Sequence, residues 1–299
     1  MSPTTKNWII ATRPWSFPAS AMPALFAMAY VFYMQDSIES IHWGYGVAAL
    51  LGAVLFQASG NLIGDYFDYM YKVDRKESFG SSRMLVDGVF TPKTIFWFGI
   101  IVLCMGILLG LFLWSQTGND LLWIGIVGAL GTFFYYKLKY MALGDVLIFV
   151  IYGPLIALGT AFVMTNQLYW EVVVLSIPIA FLVVNILHAN NTRDMRDDKL
   201  ANIKTQALLL GEKGSRIQYT FLAIGAYVAV AIFVLLNMIS PLALLVIVTL
   251  PLAKKNINLI KQAKIDKPEI IKDLDAMSAQ LVMAFTLMYA LGVFNGYWI

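Results

Sequence analysis

Charged residues are scarce in this chain of 299 residues, where Asp, Glu, Lys and Arg together make up 13%. This is about half of their usual share in a soluble domain, and it excludes a soluble protein. The single cysteine, Cys104, lies inside an apolar run, which excludes a disulfide framework and a thiolate metal site. The net charge of +3 is small, and no nucleic-acid partner is predicted from it.

Apolar residues dominate what is present, at 60% of the chain with a mean hydropathy of +0.72. Runs long enough to cross a bilayer predict an all-α polytopic membrane protein, with one transmembrane domain over 1–299 and nine transmembrane helices. The first run is interpreted as a retained helix and not as a signal peptide, because no small-residue cleavage site follows it. The predicted spans cover roughly 16–35, 43–63, 94–115, 120–136, 144–165, 169–189, 218–238, 240–254 and 276–298.

The positive charges are distributed unevenly along the chain. All 21 Lys and Arg residues lie before span one, between spans two and three, four and five, or six and seven, or from the end of span eight onward. Because positive connections remain in the cytoplasm, the N-terminus is predicted to be cytoplasmic and the C-terminus outside. Three cytoplasmic connections, about 64–93, 190–217 and 255–275, are long and therefore predicted to be functional.

A polar cluster follows the sixth span. Asn190, Asp194 and Asp198 recur every four residues, so a helix would place the amide and the carboxylates on one face. Such a ladder is stable only beside positive charge or in well-screened water. A hard cation with oxygen ligands explains the cluster, and a solvated charged loop is the alternative. Asp197 is interpreted as solvated or as a support for its neighbours.

A cluster of the same form ends the second span. Asn61, Asp65 and Asp68 lie at i, i+4 and i+7, and Asp74 follows in the connection. Both clusters leave spans that run toward the cytoplasm, so they are predicted to face the same membrane surface. Two matching clusters at equivalent places favour a functional site over a solvated loop.

Basic residues lie near both clusters. Arg83 follows the first cluster in the sequence GSSRMLVDG, Arg193 lies within the second, and Lys204 comes just after it. Carboxylates repel a phosphate but bind it through a shared metal ion, and basic side chains then contact its remaining oxygens. The pattern predicts Mg²⁺ shared with phosphate oxygens, while each basic residue taken alone is equally typical of a cytoplasmic anchor.

These motifs resemble the UbiA superfamily of intramembrane aromatic prenyltransferases, and most closely its 1,4-dihydroxy-2-naphthoate branch of menaquinone synthesis. The resemblance covers essentially the whole chain. It rests on N-x-x-x-D-Y-x-D from Asn61 to Asp68 with Asp74, on Gly80, Arg83 and Gly88, on NNTRD…D…KT from Asn190 to Thr205, on RPWSFPAS from Arg13 and on LGD ending at Asp145.

The resemblance implies nine helices around a central cavity in which Mg²⁺ holds a polyprenyl diphosphate. It implies transfer of the polyprenyl group to 1,4-dihydroxy-2-naphthoate, with loss of CO₂ and diphosphate. It also implies a location in a bacterial inner membrane, with membrane lipid around the helices. The implied catalytic residues are Asp65, Asp68, Asp194 and Asp198; these four with Asn61 and Asn190 are the implied metal ligands. The implied diphosphate-binding residues are Asn61, Arg83, Asn190, Arg193 and Lys204.

Candidates on the acceptor side are Tyr66, Tyr135, Asp145 and His188. Tyrosines at membrane boundaries are more often interface anchors, and a lone histidine at a helix end is more often a packing residue.

Three alternatives remain open at the level of the sequence. Another acceptor of the same superfamily, such as 4-hydroxybenzoate, homogentisate, haem or a lipid glycerol phosphate, fits the same metal site. A CDP-alcohol phosphotransferase is disfavoured, because VFTP follows Asp87-Gly88 where that class needs D-G-x-x-A-R. A secondary transporter would place ionisable groups near the midplane of the bilayer, whereas these carboxylates lie at helix ends.

Overall fold

The computed structural model describes residues 3–76 and 79–298. No strand is present in these residues, and the only β-type contact there is an isolated bridge between Met141 and Lys204. The principal helices are α1 (Thr5–Ala11), α2 (Pro18–Tyr33), α3 (Trp43–Met70), α4 (Pro92–Thr117), α5 (Asp120–Lys139), α6 (Gly144–Thr165), α7 (Trp170–Leu175), α8 (Ile177–Arg193), α9 (Met195–Leu200), α10 (Gln206–Leu235), α11 (Leu250–Ile260) and α12 (Leu274–Asn295).

The predicted all-α polytopic fold is confirmed. Within the described residues, seven helical stretches are long and apolar enough to cross a membrane, or eight when the bent pair Thr5–Ser16 and Pro18–Tyr33 is counted as one span. The sixth predicted span is divided at Ser176 into α7 and α8, and α8 alone has 17 residues. The eighth begins as a 3₁₀-helix over Pro241–Thr249 and continues as α11. The nine predicted segments therefore agree roughly with the helices.

Several helices continue beyond the predicted edges of their spans. α3 continues to Met70, α8 reaches Arg193, and α10 already begins at Gln206. The segments predicted as connections, 64–93 and 190–217, are thus largely helical at their ends. Hydropathy marks only the part of a helix that suits hydrocarbon, so a polar helix end escapes it. The residues of both polar clusters therefore lie on helices or at helix ends, apart from Asp74 in the connection.

The middle of α6 is irregular. Residues Ile151–Leu155 form a π-helical turn around Pro154, which has no N–H to donate. Gly153 lies so close to Ala180 of α8 that a Cβ there would overlap the Ala180 side chain. The irregular turn and the glycine let α6 approach α8 closely, and this brings Tyr152 to the interior of the bundle.

The terminal helix α12 packs against α2, α8 and the Pro241–Thr249 segment. The rings of Phe26 and Tyr289 stack with centroids 4.5 Å apart. At Gly292 the helix meets backbone, because a Cβ would overlap the Leu242 carbonyl group. Small residues at such crossings allow helices in membranes to approach closely.

We expect Gly292→Ala to destabilise the protein by about 1–3 kcal/mol, because overpacking against a backbone carbonyl cannot be relieved by a side-chain movement. Gly110→Ala in α4 is the matched control, since nothing lies within 4 Å of a Cβ there and alanine is the better helix former. Thermal unfolding in detergent measures both variants. Equal melting temperatures for the two would contradict the close approach at Gly292.

Candidate active site

A cavity lies where the polar ends of α3 and α8 face α5 and α6. Its charged and amide side chains are Arg13, Gln57, Asn61, Asp68, Lys139, Asn190, Asn191, Arg193 and Asp194. Its other lining side chains include the hydroxyl groups of Ser16, Thr132, Tyr135 and Tyr152 and the apolar groups of Ala19, Leu147, Ile148, Ile151, Val183, Ile186 and Leu187. The cavity is therefore charged at one end and apolar at the other.

Asn61 and Asp68 bring the first cluster to this cavity. Asn61 donates from Nδ2 to the carbonyl oxygen of Thr12 at 2.9 Å, which leaves its amide oxygen for a ligand. Asp68 accepts from Lys139 Nζ at 3.0 Å and from the Tyr140 hydroxyl at 2.5 Å. A charge-assisted pair in a partly buried site is stronger than one in water. The carboxylate thus enters the cavity already paired with a cation.

Asp65 has a different environment from the one predicted. It is 4% exposed and does not line the cavity. One carboxylate oxygen accepts from the backbone N–H of Ser82 at 3.0 Å and from its hydroxyl at 2.6 Å, and the other lies 3.4 Å from Arg13 Nη1. Asp65 therefore joins α3 to the following connection and holds Arg13 at the cavity.

The second cluster is built around Arg193, which is 3% exposed. Its guanidinium group donates to both oxygens of Asp194, at 2.7 and 2.9 Å, in the bidentate geometry that arginine and carboxylate favour. It also donates to Asn190 Oδ1 at 2.7 Å and to Asp275 Oδ2 at 3.2 Å. Asn190, Arg193 and Asp194 all line the cavity.

Asp198 is buried behind this cluster at 1% exposure. Thr205 donates to its Oδ2 at 3.1 Å, while its Oδ1 is buried without a hydrogen-bond partner. Burial raises the pKa of Asp198 to about 7; Asp194 and Asp68 add to the rise, and Lys139 opposes it. An unpaired buried carboxylate oxygen is costly, and a cation would satisfy it.

Two further acidic residues near the clusters have different surroundings. Asp74 is half-buried, and burial, followed by the charges of Asp68 and Asp65, raises its pKa to about 8. Asp197 lies 3.8 Å from the guanidinium of Arg196, whose side chain is 45% exposed. The structure therefore places Asp74 in the electrostatic surroundings of the cluster, whereas Asp197 pairs with a surface cation.

Three predicted site residues lie away from the cavity. Arg83 is 38% exposed and contacts Asp87 at 2.9 Å. Lys204 is exposed, and Tyr66 packs its ring against Phe96 at a centroid distance of 4.9 Å. None of these three lines the cavity. Their side chains suit a diphosphate or a ring, but their positions in the backbone keep them outside the cavity in this conformation.

The acceptor-side candidates divide into two groups. Tyr135 lines the cavity. Asp145 and His188 are buried beside it, where His188 Nδ1 lies 2.9 Å from Asp145 Oδ2. Asp145 and His188 therefore can act on a cavity ligand only through another residue.

Arg13 and Lys139 line the cavity but were not among the predicted site residues. Arg13 adopts a left-handed backbone conformation, with φ of 56°, and its Nε is buried without a hydrogen-bond partner. The sequence signal for Arg13 is the motif that begins at this residue. Lys139 follows Tyr135 by four positions and lies on the same helical face, but its charge also fits the positive-inside pattern of a cytoplasmic connection.

The connection after α3 closes over both clusters at Gly80. A Cβ on this residue would lie 3.1 Å from Asp194 Oδ2 and 3.2 Å from Arg193 Nη2. A larger residue at this position would therefore have to displace the side chains of the second cluster slightly. The same segment meets the first cluster through Ser82 and Asp65.

The oxygen donors of the two clusters fit a divalent cation in chemistry. Hard cations take carboxylate and amide oxygens, and the buried unpaired Oδ1 of Asp198 is such a donor. Over residues 3–76 and 79–298, however, no three His, Cys, Asp or Glu side chains form a ready metal-binding group. Any ion would therefore use amide oxygens or require a rearrangement of the carboxylates, and the predicted ligand set stays a prediction.

The raised pKa of Asp198 predicts a pH-dependent stability. The unfolded chain ionises this carboxyl near pH 3.8 and the folded chain near pH 7, so the metal-free protein loses stability as the pH rises between these values. We expect Asp198→Asn, in chelator, to melt at a higher temperature than the wild type at pH 8 and at a similar temperature at pH 4. Mg²⁺ should raise the melting temperature of the wild type more than that of the variant. Identical pH profiles would contradict this assignment.

A model of the UbiA prenyltransferase family matches residues 20–269. UbiA prenyltransferase domain-containing protein 1 of Danio rerio is 32% identical over 252 residues, which are 82% of this chain and 73% of that protein. Its homolog in Drosophila melanogaster is 33% identical over 255 residues, 83% of this chain and 69% of that protein. These matches show the family.

Solved structures share the fold at lower identity. A UbiA homolog from Aeropyrum pernix K1 has a TM-score of 0.67 at 13% identity and covers 91% of this chain and 96% of its own. A UbiA homolog from Archaeoglobus fulgidus, bound to GPP and Mg²⁺, has a TM-score of 0.61 at 16% identity, over 95% of this chain and 99% of its own.

The predicted enzyme class, a prenyltransferase, is confirmed over the transporter alternative. The names of the relatives do not specify a naphthoate acceptor, and the relatives cited are eukaryotic, so that branch, the bacterial inner membrane and the orientation of the termini stay predictions. The chain is a multi-pass integral membrane protein that belongs to the UbiA prenyltransferase family.

Proposed function

We propose that this protein transfers a polyprenyl group from its diphosphate to 1,4-dihydroxy-2-naphthoate, with Mg²⁺ as the metal and with loss of CO₂ and diphosphate. The observation that carries the proposal is the polarity of one cavity. Its charged end contains Asp68, Asp194, Arg13, Lys139 and Arg193, and its other end is apolar. A polyprenyl diphosphate has the same division between a charged head and an apolar tail.

A second, apolar cavity lies next to the first one, between α3, α4, α5 and α6. The two share Thr132, Ile151 and Tyr152 in their walls. The second is lined by leucine, isoleucine and aromatic side chains and by several glycines, among them Gly128. Because isoprenoid tails are long and apolar, a second apolar cavity next to the first supports a polyprenyl donor.

Binding of the donor head group is assigned to both clusters. Asn61, Asp68, Asn190 and Asp194 would hold Mg²⁺, with Asp198 beside them. When bound, Mg²⁺ neutralises charge on the diphosphate leaving group. The A. fulgidus homolog was solved with GPP and Mg²⁺, which supports this assignment.

The basic side chains of the cavity have a separate role. Arg13 and Lys139 line it on the side of the first cluster, and Arg193 lines it on the side of the second. Their positive charges would contact the diphosphate oxygens as the allylic C–O bond breaks and negative charge moves to the leaving group. This role replaces the one predicted for Arg83 and Lys204, which do not line the cavity.

Ring attack follows at the boundary between the two ends. The allylic cation must be protected from water, and the apolar walls formed by Leu147, Ile148 and Leu187 provide that protection. The electron-rich ring then forms the new C–C bond, and the ring carboxyl group leaves as CO₂. Tyr135 lines this region and is the candidate for orienting the ring.

The assignment of naphthoate as the acceptor rests on the sequence motifs. Activity with another acceptor of the superfamily is a possible result of the assay. One neighbouring structure comes from work on digeranylgeranylglyceryl phosphate synthase, with a TM-score of 0.62 at 19% identity. That similarity concerns the fold alone. A glycerol phosphate acceptor therefore belongs in the assay panel beside 4-hydroxybenzoate and homogentisate.

Purified protein with Mg²⁺, a polyprenyl diphosphate and 1,4-dihydroxy-2-naphthoate should release CO₂ and form the prenylated naphthol. We expect Asp68→Asn and Asp194→Asn to lower kcat by about 100- to 1000-fold, the typical effect of removing one group that stabilises transition-state charge. The measurement is product formation by chromatography, with the alternative acceptors in parallel.

Asp266→Asn is the matched control, since Asp266 is exposed and does not line the cavity. It should retain the wild-type rate. Activity that persists in chelator, or in both cavity variants, would contradict the metal–diphosphate site. Product with another acceptor alone would contradict only the naphthoate assignment.

We expect Gly128→Leu to shorten the accepted donor, because a leucine there would fill part of the second cavity. Nothing lies within 4 Å of a Cβ at this position, so the new side chain leaves the backbone without a clash. The ratio of kcat/KM for geranylgeranyl to geranyl diphosphate should fall about 10-fold. Gly44→Leu, which is equally open but outside the cavity, is the control. An equal loss with both donors would contradict this path for the tail.

A further inference from the structure

Asn191 lies at the boundary between the charged and the apolar ends of the cavity. It is 3% exposed, lines the cavity, and belongs to the same face of α8 as Leu187 and Asp194. It precedes Asp194 by three positions, which is a rise of about 4.5 Å along the helix axis. Asn191 therefore stands beside the place where, under the proposed function, the allylic carbon leaves the diphosphate.

The amide of Asn191 has a defined orientation. Its Nδ2 lies 3.5 Å from Asp145 Oδ1. The amide nitrogen is the donor of this hydrogen bond, so the donor end of the amide faces Asp145. Within the part of the chain that the structure describes, no group donates to the amide oxygen, and this oxygen is not fully buried. That oxygen is consequently left for a ligand in the cavity.

Asp145 is held in place from behind the cavity. Its Oδ2 lies 2.9 Å from His188 Nδ1 and accepts from Gln218 Nε2 at 2.8 Å. His188 Nε2 lies 3.2 Å from the carbonyl oxygen of Ser215, and His188 is fully buried. The network joins α6, α8 and α10 but does not line the cavity. It can influence a ligand only by fixing Asn191.

We propose that the amide oxygen of Asn191 accepts a hydrogen bond from a ring hydroxyl of the aromatic acceptor, and that Asp145, held by His188 and Gln218, is the positioning residue that sets its orientation. This inference rests on the proposed function. An amide oxygen cannot bind the anionic diphosphate, which the neighbouring cations bind instead, but it accepts from a neutral hydroxyl. The apolar walls beside Leu187 suit the ring itself.

The first test is Asn191→Leu, a substitution of similar size that removes the amide. We expect KM for the acceptor to rise about 5-fold, the effect of losing one neutral hydrogen bond. KM for the polyprenyl diphosphate should stay within about 2-fold, since this residue does not bind the diphosphate. Steady-state kinetics with each substrate varied in turn separates the two constants.

Two competitive inhibitors identify the bond itself. The analogues 1-hydroxy-2-naphthoate and 4-hydroxy-2-naphthoate each retain one ring hydroxyl. We expect Asn191→Leu to weaken the inhibition by one analogue about 5-fold and to leave the other unchanged, because one amide oxygen receives one hydroxyl. A role confined to folding would weaken both analogues and the donor alike.

Gln218→Met tests the network without altering the cavity wall. It removes one donor to Asp145 and should raise the acceptor KM in the same direction as Asn191→Leu, by a smaller factor. Asn258→Leu on the exposed face of α11 is the control and should match the wild type. Melting temperatures of all variants identify any loss of fold.

The outcomes separate this inference from the proposed function. If the wild type uses the naphthoate and Asn191→Leu has wild-type constants, or if the donor KM rises with the acceptor KM, the assignment of Asn191 is overturned alone. If the wild type prenylates a different aromatic hydroxy acid, the same kinetics are run with that acid. If it prenylates no aromatic hydroxy acid, the proposed function and this inference both fail.

Discussion

Pairing of buried and half-buried carboxylates with cations from distant parts of the chain is the constraint on which the site end of the bundle depends. An unpaired ion in a protein interior costs several kcal/mol. Asp68 on α3 meets Lys139 on α5, and Arg193 on α8 meets Asp275 on α12. Asp65 meets Arg13, which lies ahead of α2. Each pair joins parts of the chain that are distant in sequence, so the same contacts close the bundle and assemble the site.

This pairing also explains how one cavity can accept a cation and an anion together. In the structure, the carboxylate of Asp194 and the guanidinium of Arg193 neutralise each other. Under the proposed function, a metal–diphosphate complex offers each of them a new partner of opposite charge, so neither is left unpaired. Exchange of partners keeps the local charge balanced, which a metal or a diphosphate alone would not do.

The apolar half of the site depends on irregular packing instead of charge. The π-helical turn of α6 and the close contact of Gly153 with Ala180 bring Tyr152 to the wall shared by both cavities. Glycines along α4 and α5 leave space between helices where larger side chains would fill it. Space for a long tail is therefore left by small residues at these positions. This space lies next to the charged groups of the first cavity.

The sequence by itself determined the helical class, the approximate spans and the two polar clusters. Each of these depends on local properties: apolar length suited to a bilayer, charge in alternate connections, and carboxylates spaced by whole helical turns. The family resemblance was equally visible, because its motifs are short and contiguous. Asn190, Arg193 and Asp194 lie within one such motif, and all three line one cavity in the structure.

Only the tertiary structure decided which charged residues face the cavity. Arg13 and Lys139 do, and Arg83 and Lys204 do not, although all four are basic residues near a cluster. It also placed Asp65 and Asp145 behind the cavity wall, in contact with Ser82 and His188. Sequence spacing defines a face of one helix, but the direction of that face depends on how the other helices pack against it.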